Sequence, residues 1–532
     1  MAGHGAAEPN VFERRGMQAA DRVSVALADA RWAAAARFRQ LRRPGRSLRM
    51  RRRADRAARG CGLRACAAPA RRSRVSEAFA TAPERAAVAD ALGVLGSFAG
   101  ELEWAAAPDA VKDRTLLVLY DTLGVMAAGA QTDEARALIS VWDPAPGSVP
   151  LVGTGQTASE ESACWINGTN VCSLELDEGS KYARGHPAAH TLPAAVAVGS
   201  TYEGPGEHWL AAFLAGYDVA ARFGRATVLD PGVHPHGTWG AVGAATAAGR
   251  LVGLDGVALA GAIDAASGLA LAPPFSTVFA GSFVRNTWIG AASVAGLTAA
   301  RLALAGLAAP DGTASESFGR ILGTLDVSAL ADGLGERYEI MGGYFKRHAA
   351  CAYTHPAADA VLALRAEHAI DSDSVAAVEV ETYELASRLG RAEYGTRLGA
   401  MFSIPYVIAE TLREGSFGPT ASGAQRRADP AVQRLAERVS VRASDEFEAR
   451  LPAERGARVS VVMADGVRLQ AEARNPIGDA DCSPLGWREI EQKLATLLGL
   501  VDASALRNLV VGLPEALSVS VHLADLARLG QS

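Results

Sequence analysis

Between Glu175 and His190 the chain reads ELDEGSKYARGHPAAH, which places three carboxylates, two cations, a tyrosine and two histidines in sixteen positions. Imidazole is the side chain best suited to moving a proton near neutral pH, and neighbouring acids and cations orient it and hold charged guests beside it. The second half of the run begins a helix at Pro187, whose fixed φ suits a first helical position. His186 therefore falls where the unpaired N–H groups and positive end of that helix attract anions, and a carboxylate substrate is the guest this predicts.

Three further segments combine ionisable groups with helix-start or loop signals: GVHPHGTWG at 232–240, GSFVRNTWIGAAS at 281–293 and YFKRHAACAYTHPAADA at 344–360. They contribute His234 and His236, then Arg285, then Lys346, Arg347, His348, Cys351, Tyr353 and His355. Each alone has a plainer reading, since a histidine before a proline is more often a cap or packing residue. Together they hold six of the ten histidines once His186 and His190 are added. Other chemistries fit less well. There is no GxxxxGK[ST] loop, GTG at 153–155 lacks a third glycine and a preceding strand, and no GxSxG elbow is present. Cys351 reads as a small buried residue rather than a nucleophile. Although His234, His236, Asp177 and Glu178 could converge, no HExxH or comparable spacing supports a metal, so neither metal nor other cofactor is expected.

These segments need a scaffold, and the composition indicates which kind. Apolar residues make up 49% of the 532 positions but aromatics only 6%, which favours helices approaching through small side chains. Amphipathic or wholly apolar helical patterns run through 88–130 as two helices, then through 158–173, 187–203, 207–225, 237–253, 256–268, 287–306 and 315–323. The stretch GTWGAVGAATAAGRLVG is polar only at its ends and must be buried on most faces. After about 340 the texture changes: 375–384 alternates like a strand, and 458–474 alternates on both sides of Asp465-Gly466 as a hairpin does. The fold class expected is mainly α with an α+β lid. A large helical domain at 85–340 is rejoined by helices at 479–525, with the α+β domain at 341–478 inserted between them and a helix at 355–367 on its sheet.

The net charge of −5 conceals an asymmetry, because residues 1–75 hold 19 arginines and no lysine against five acids. That segment reads as a disordered, dispensable extension, with a transit peptide or nucleic-acid arm as alternatives. Six scattered cysteines without a CxxC pair suit a reducing cytoplasm. No membrane and no nucleic-acid partner is expected.

Four ordered blocks resemble the MmgE/PrpD family, which includes 2-methylcitrate dehydratase, cis-aconitate decarboxylase and iminodisuccinate epimerase. They are NGTNVCSLELDEGSKYARGHPAAHTLPAA, the stretch from GYDVAARFGRA to GVHPHGTWGAVGAATAAGRLVGLD, FKRHAACAYTHPAADA and FSIPYVIAETL. The resemblance spans about 88–525 and implies a helical domain made from both chain ends, a smaller α+β lid, a homodimer and a cofactor-free cleft. It implies His186 and His234 as the acid/base pair, Asp177 as their orienting carboxylate, Tyr406 as a proton donor or substrate contact, and Arg285 and Lys346 as carboxylate clamps. Glu178, Lys181, His236 and Cys351 join the substrate-binding set, while Lys181, Tyr182 and Arg184 could equally form a solvated loop. Two departures stand out: Arg285 falls where the decarboxylases have lysine, and Cys351 where they have a functional histidine. A guanidinium keeps its proton at any working pH, so these changes disfavour decarboxylation. The first block also departs from the commoner DFDDTH form toward the epimerase branch. The activity expected is a lyase, in the first place a dehydratase, acting on a small di- or tricarboxylic acid. Epimerisation, decarboxylation and a non-catalytic binding protein of the same fold are the alternatives.

Overall fold

A computed structural model describes residues 79–390 and 394–530; the Arg-rich segment 1–75 and its expected disorder lie outside them. Thr81 opens α1 (Ala82–Glu101) with a capping box, its hydroxyl accepting from the Glu84 amide while the Glu84 carboxylate accepts from the Thr81 amide. There follow α2 (Asp109–Gly129), α3 (Glu160–Val171), α4 (Pro187–Gly199), α5 (Gly206–Ala226), α6 (Gly240–Leu251), α7 (Gly256–Gly268) and α8 (Val284–Leu304). Every residue of α6 is buried, as its all-round small apolar pattern requires. Against it packs α8, which also contacts α3 and α7. Helix α8 is long and apolar enough to cross a membrane, and burial among these three helices accounts for that composition.

Small residues set the helix spacing. A Cβ on Gly290 of α8 would lie 2.2 Å from the Trp165 carbonyl oxygen of α3, and one on Gly168 would lie 2.6 Å from the Gly290 Cα. The helix expected over 315–323 does not form as such: the chain makes a short helix at Thr313–Glu316, a wider turn at Ser317–Ile321 and a strand at Gly323–Leu325.

Buried Arg222 on α5 ties down the segment that follows. It bonds Asp218 and reaches the carbonyls of Asp332 and Arg337 at 2.8 and 2.7 Å, while Asp218 accepts the Glu339 amide at 2.7 Å. The anchored chain then forms the ladder that brings distant blocks together. Strand β1 (Gly179–Ser180) pairs antiparallel with β2 (Gly343–Tyr344), Gly179 opposite Tyr344.

Beyond β2 come α9 (His355–Glu367), β3 (Val375–Thr382), α10 (Ile404–Glu414), β4 (Val439–Ala443), β5 (Ala457–Met463) and β6 (Arg468–Ala473). The four strands form one sheet in the order β6-β5-β3-β4, antiparallel except for the β3–β4 pair. The expected helix at 355–367, strand and hairpin are all present. Finally α11 (Trp487–Leu498) and α12 (Leu500–Gly512) pack on α2, so helices from the two ends of the described chain meet.

Candidate active site

A cavity of about 440 Å³ opens where β1, the loop before α4, the turn before α6, the start of α8 and the sheet-bearing part converge. His186, His234, His236, Arg285, Lys346 and Cys351 line it, together with Glu175 and Lys181. Eight of the residues implied by sequence or expected from it thus share one space, although they come from four separate blocks.

The acidic run reaches the cavity through strained backbone. Glu175 and Arg184 have φ of 51° and 57°, left-handed values uncommon for residues other than glycine. Glu175, 1% exposed, meets Arg285 through one oxygen and the Lys346 ammonium at 3.2 Å through the other. Asp177 meets the same ammonium at 3.2 Å. Two carboxylates and two cations, all nearly inaccessible, thus compensate one another. Burial pushes the Asp177 carboxyl up, but the adjoining His186 and Lys346 outweigh it and hold the group below its usual range. Burial likewise opposes the charge of Lys346, and Asp177 and Glu175 more than restore it.

The two histidines expected to act as a pair are held in opposite tautomers. His186 is the residue immediately before α4, and its Nδ1 lies 2.7 Å from the Glu178 carbonyl and 2.9 Å from an Asp177 oxygen. With the Glu178 carbonyl accepting from it, Nδ1 carries a proton, which leaves Nε2 as the ring's second, base-capable nitrogen. His234 instead accepts the His236 amide at Nδ1, 3.1 Å away, which puts its proton on Nε2. Burial first, then Arg285 and the neighbouring imidazoles, drives the His234 pKa far below normal and keeps the ring neutral. His236 sits between them, its ring centroid 4.9 Å from His186 and 4.6 Å from His234, with Nε2 at 3.3 Å from the Arg285 guanidinium that donates to it.

Several expectations need correction. Tyr406 does not reach the cavity: it is fully buried on α10 and its hydroxyl donates to the Ala421 carbonyl at 2.7 Å, as suits a packed phenol that must satisfy its O–H. Glu178 also stays behind the wall. Its side chain accepts from the Tyr217 hydroxyl, and burial pushes its pKa up to about 8. The start of α6 is closed, because His190 accepts the Gly237 amide at 3.2 Å and packs on Gly240. Arg285 and Lys346 are already paired rather than free clamps. Lys181 lines the cavity but bonds Asp479 at 3.1 Å and Asp481. Cys351 needs no such correction: it is buried as read from the sequence, and burial, then Glu175, pushes its thiol up to about 12.

Sequence reasoning missed Arg455, Tyr344 and Tyr383, which line the same cavity. Arg455 follows no motif; only its position just before the first strand of the hairpin hinted that it borders a loop. Among the described residues no three His, Cys, Asp or Glu side chains are arranged to hold a metal. The geometry suits proton transfer at a carbon beside a carboxylate: a lone pair at His186, an N–H donor at His234, and cations around both.

Known proteins resemble the chain over the same regions. The MmgE/PrpD N-terminal domain matches residues 93–326 and the MmgE/PrpD C-terminal domain residues 348–511. Cis-aconitate decarboxylase of Aspergillus terreus is 23% identical over 455 residues, 78% of this chain and 91% of that protein. A second protein of that name, from Aspergillus terreus strain NIH 2624, is 23% identical over 433 residues, 74% and 86% of the two chains. The two domain matches follow one another across the helical bundle and the sheet that enclose the cavity, and the chain belongs to the MmgE/PrpD family.

Proposed function

We propose that this family enzyme is a cofactor-independent lyase that removes a proton beside a carboxylate of a small di- or tricarboxylic acid, with dehydration as its reaction. The observation that carries this reading is the opposed tautomers of His186 and His234 on one cavity. His186 Nε2 takes the proton from carbon, and the negative charge that develops is met by the cationic wall. His234 Nε2–H donates a hydrogen bond to a substrate carboxylate oxygen, and the imidazolium formed at His186 returns its proton to the departing hydroxyl, which leaves as water. Asp177 holds the His186 ring in place and favours the imidazolium as it forms.

A base on carbon is needed for dehydration and epimerisation but not for decarboxylation, whose product needs a proton donor instead. The relatives named above carry decarboxylase names, and Arg285 and Cys351 stand here where the resemblance implies lysine and histidine. Epimerisation of an iminodiacid would use the same two imidazoles. A binding protein that had lost activity would be expected to fill its cleft with apolar side chains, whereas this one keeps about 440 Å³ lined by ionisable groups. Cys164, Cys172, Cys351 and Cys482 are all unpaired thiols, which supports a reducing compartment, and we place the enzyme in the cytoplasm.

Proton NMR of 2-methylcitrate, citrate, cis-aconitate and iminodisuccinate, each incubated with the enzyme in deuterated buffer, tests the proposal. Loss of water from one of the hydroxy acids supports it. Release of carbon dioxide without deuterium exchange in the starting acid assigns decarboxylation instead, and no turnover of any of the four rejects the substrate class.

A further inference from the structure

Five cations line the cavity, against a single carboxylate, Glu175. Three of the five are matched: Arg285 and Lys346 by Glu175 and Asp177, and Lys181 by Asp479 and Asp481. Of the other two, Arg455 shares Asp479 with Lys181 at longer range, and Arg184 has no ion pair among the described residues. Arg455 approaches Asp479 only at 3.6 Å, too far for a hydrogen bond, and both Asp479 oxygens already face the Lys181 ammonium at 3.1 and 3.3 Å. Its Nε and Nη2 atoms are buried without an acceptor, and its side chain is only 12% exposed. Arg184 donates to the Thr227 carbonyl at 2.7 Å and has no carboxylate partner among the described residues. Its backbone is held at φ 57°, a strained conformation that the local fold maintains.

Tyrosines join the two arginines. The Arg455 guanidinium lies 5.0 Å over the Tyr344 ring, and Tyr353 packs on Tyr383 with ring centroids 5.9 Å apart. Tyr353 lines the same cavity as Arg455 and Arg184, and both guanidinium charges act on its phenol. Burial raises the pKa of all three hydroxyls, so they remain O–H donors. A guanidinium with unmet N–H groups, stacked on one tyrosine in a cavity lined by two more, suits a planar anion with two acceptor oxygens.

We infer that Arg455, with Arg184 and Tyr353, forms a second anion subsite at the sheet-bearing end of the cavity, which takes the substrate carboxylate remote from the carbon that reacts at His186. The inference rests on the proposed function and deepens it, because it makes two well-separated carboxylates a requirement for tight binding. It also gives the sheet-bearing part a specific task, since Arg455 enters from the loop that leads into β5.

Calorimetric titration of the full chain with citrate, succinate and acetate tests it, using the wild type, Arg455→Gln, Arg455→Lys and Arg184→Gln. Loss of charge-assisted bonds to a carboxylate is expected to weaken citrate and succinate binding about tenfold or more in Arg455→Gln, with a smaller loss in Arg455→Lys and no change for acetate. Equal citrate affinity in the wild type and a folded Arg455→Gln overturns the subsite and leaves the proton-transfer reading standing. If neither citrate nor succinate binds the wild type, the polycarboxylate reading falls and the subsite with it. Should Arg455→Gln not fold, Arg184→Gln, at an exposed position, decides the matter: at least threefold weaker citrate binding is expected, and unchanged binding overturns the assignment.

Discussion

At His186 the imidazole proton is committed to Nδ1 by the Glu178 carbonyl and Asp177, whereas at His234 the His236 amide commits it to Nε2. Two residues of one type therefore present a base and a donor to the same space. His186→Ala is expected to lower turnover by about 10²–10⁴-fold with the fold retained, the range typical for loss of a general base, as measured by initial rates on the acid found in the NMR screen. Because His234 is neutral well below pH 6.5, its titration should add no limb to the pH–rate profile near neutrality. Glu178 gives a stability signature instead. Between its ordinary value of 4.5 and about 8 the unfolded chain releases this proton while the folded protein keeps it. The folded state then binds more protons, so stability is highest below that window and falls as pH rises through it, by on the order of 1.4 kcal/mol per pH unit. Thermal unfolding of Glu178→Gln should show a flatter dependence from pH 5 to 8. The dense run 175–190 was legible as chemistry because its ionisable groups are contiguous. Tyr406 was not separable from a packing tyrosine, because only its Ala421 partner reveals where its hydroxyl is spent. Arg455 was invisible because the cations and tyrosines that give it meaning lie far away in the chain.

Secondary structure was most legible where periodicity was long. Helices α4 to α8, the helix at 355–367 and the 457–473 hairpin announce themselves by apolar spacing bounded by Pro, Gly or Asp. The two-residue ladder between β1 and β2 has no such period, yet it delivers Lys346 to Glu175 and Asp177. The sequence likewise hides β4, a half-exposed edge strand paired in parallel with β3, since parallel partners need not be neighbours in the chain. Alanine- and glycine-rich helices are also the reason the bundle packs so closely. Gly290→Val is expected to destabilise the protein by about 1–3 kcal/mol through overpacking against Trp165, read as a lowered midpoint in urea, because backbone rather than a flexible side chain lies 2.2 Å from the added carbon.

Cations and carboxylates from α8, the run before β1 and the segment after β2 meet in one buried cluster, so fold and site depend on each other. Lys346→Met leaves Glu175 and Asp177 with an uncompensated buried charge and should cost about 3–5 kcal/mol, measured by denaturant unfolding. The family resemblance also carries a proposed homodimer, for which sedimentation equilibrium at twice the chain mass is the expected result. The change from helices to sheet strands after about 340 was readable from the texture, but the convergence of four blocks on one cavity was readable only through the resemblance, because nothing in a linear pattern records which loops face each other. All of it depends on His186 moving a hydrogen at carbon. The decisive measurement is solvent deuterium incorporation into the unreacted acid, followed by NMR for the wild type and for a folded His186→Ala. Exchange at the carbon beside a carboxylate in the wild type, reduced at least a hundredfold in the variant, is the expected result; equal exchange in both proteins would contradict the mechanism.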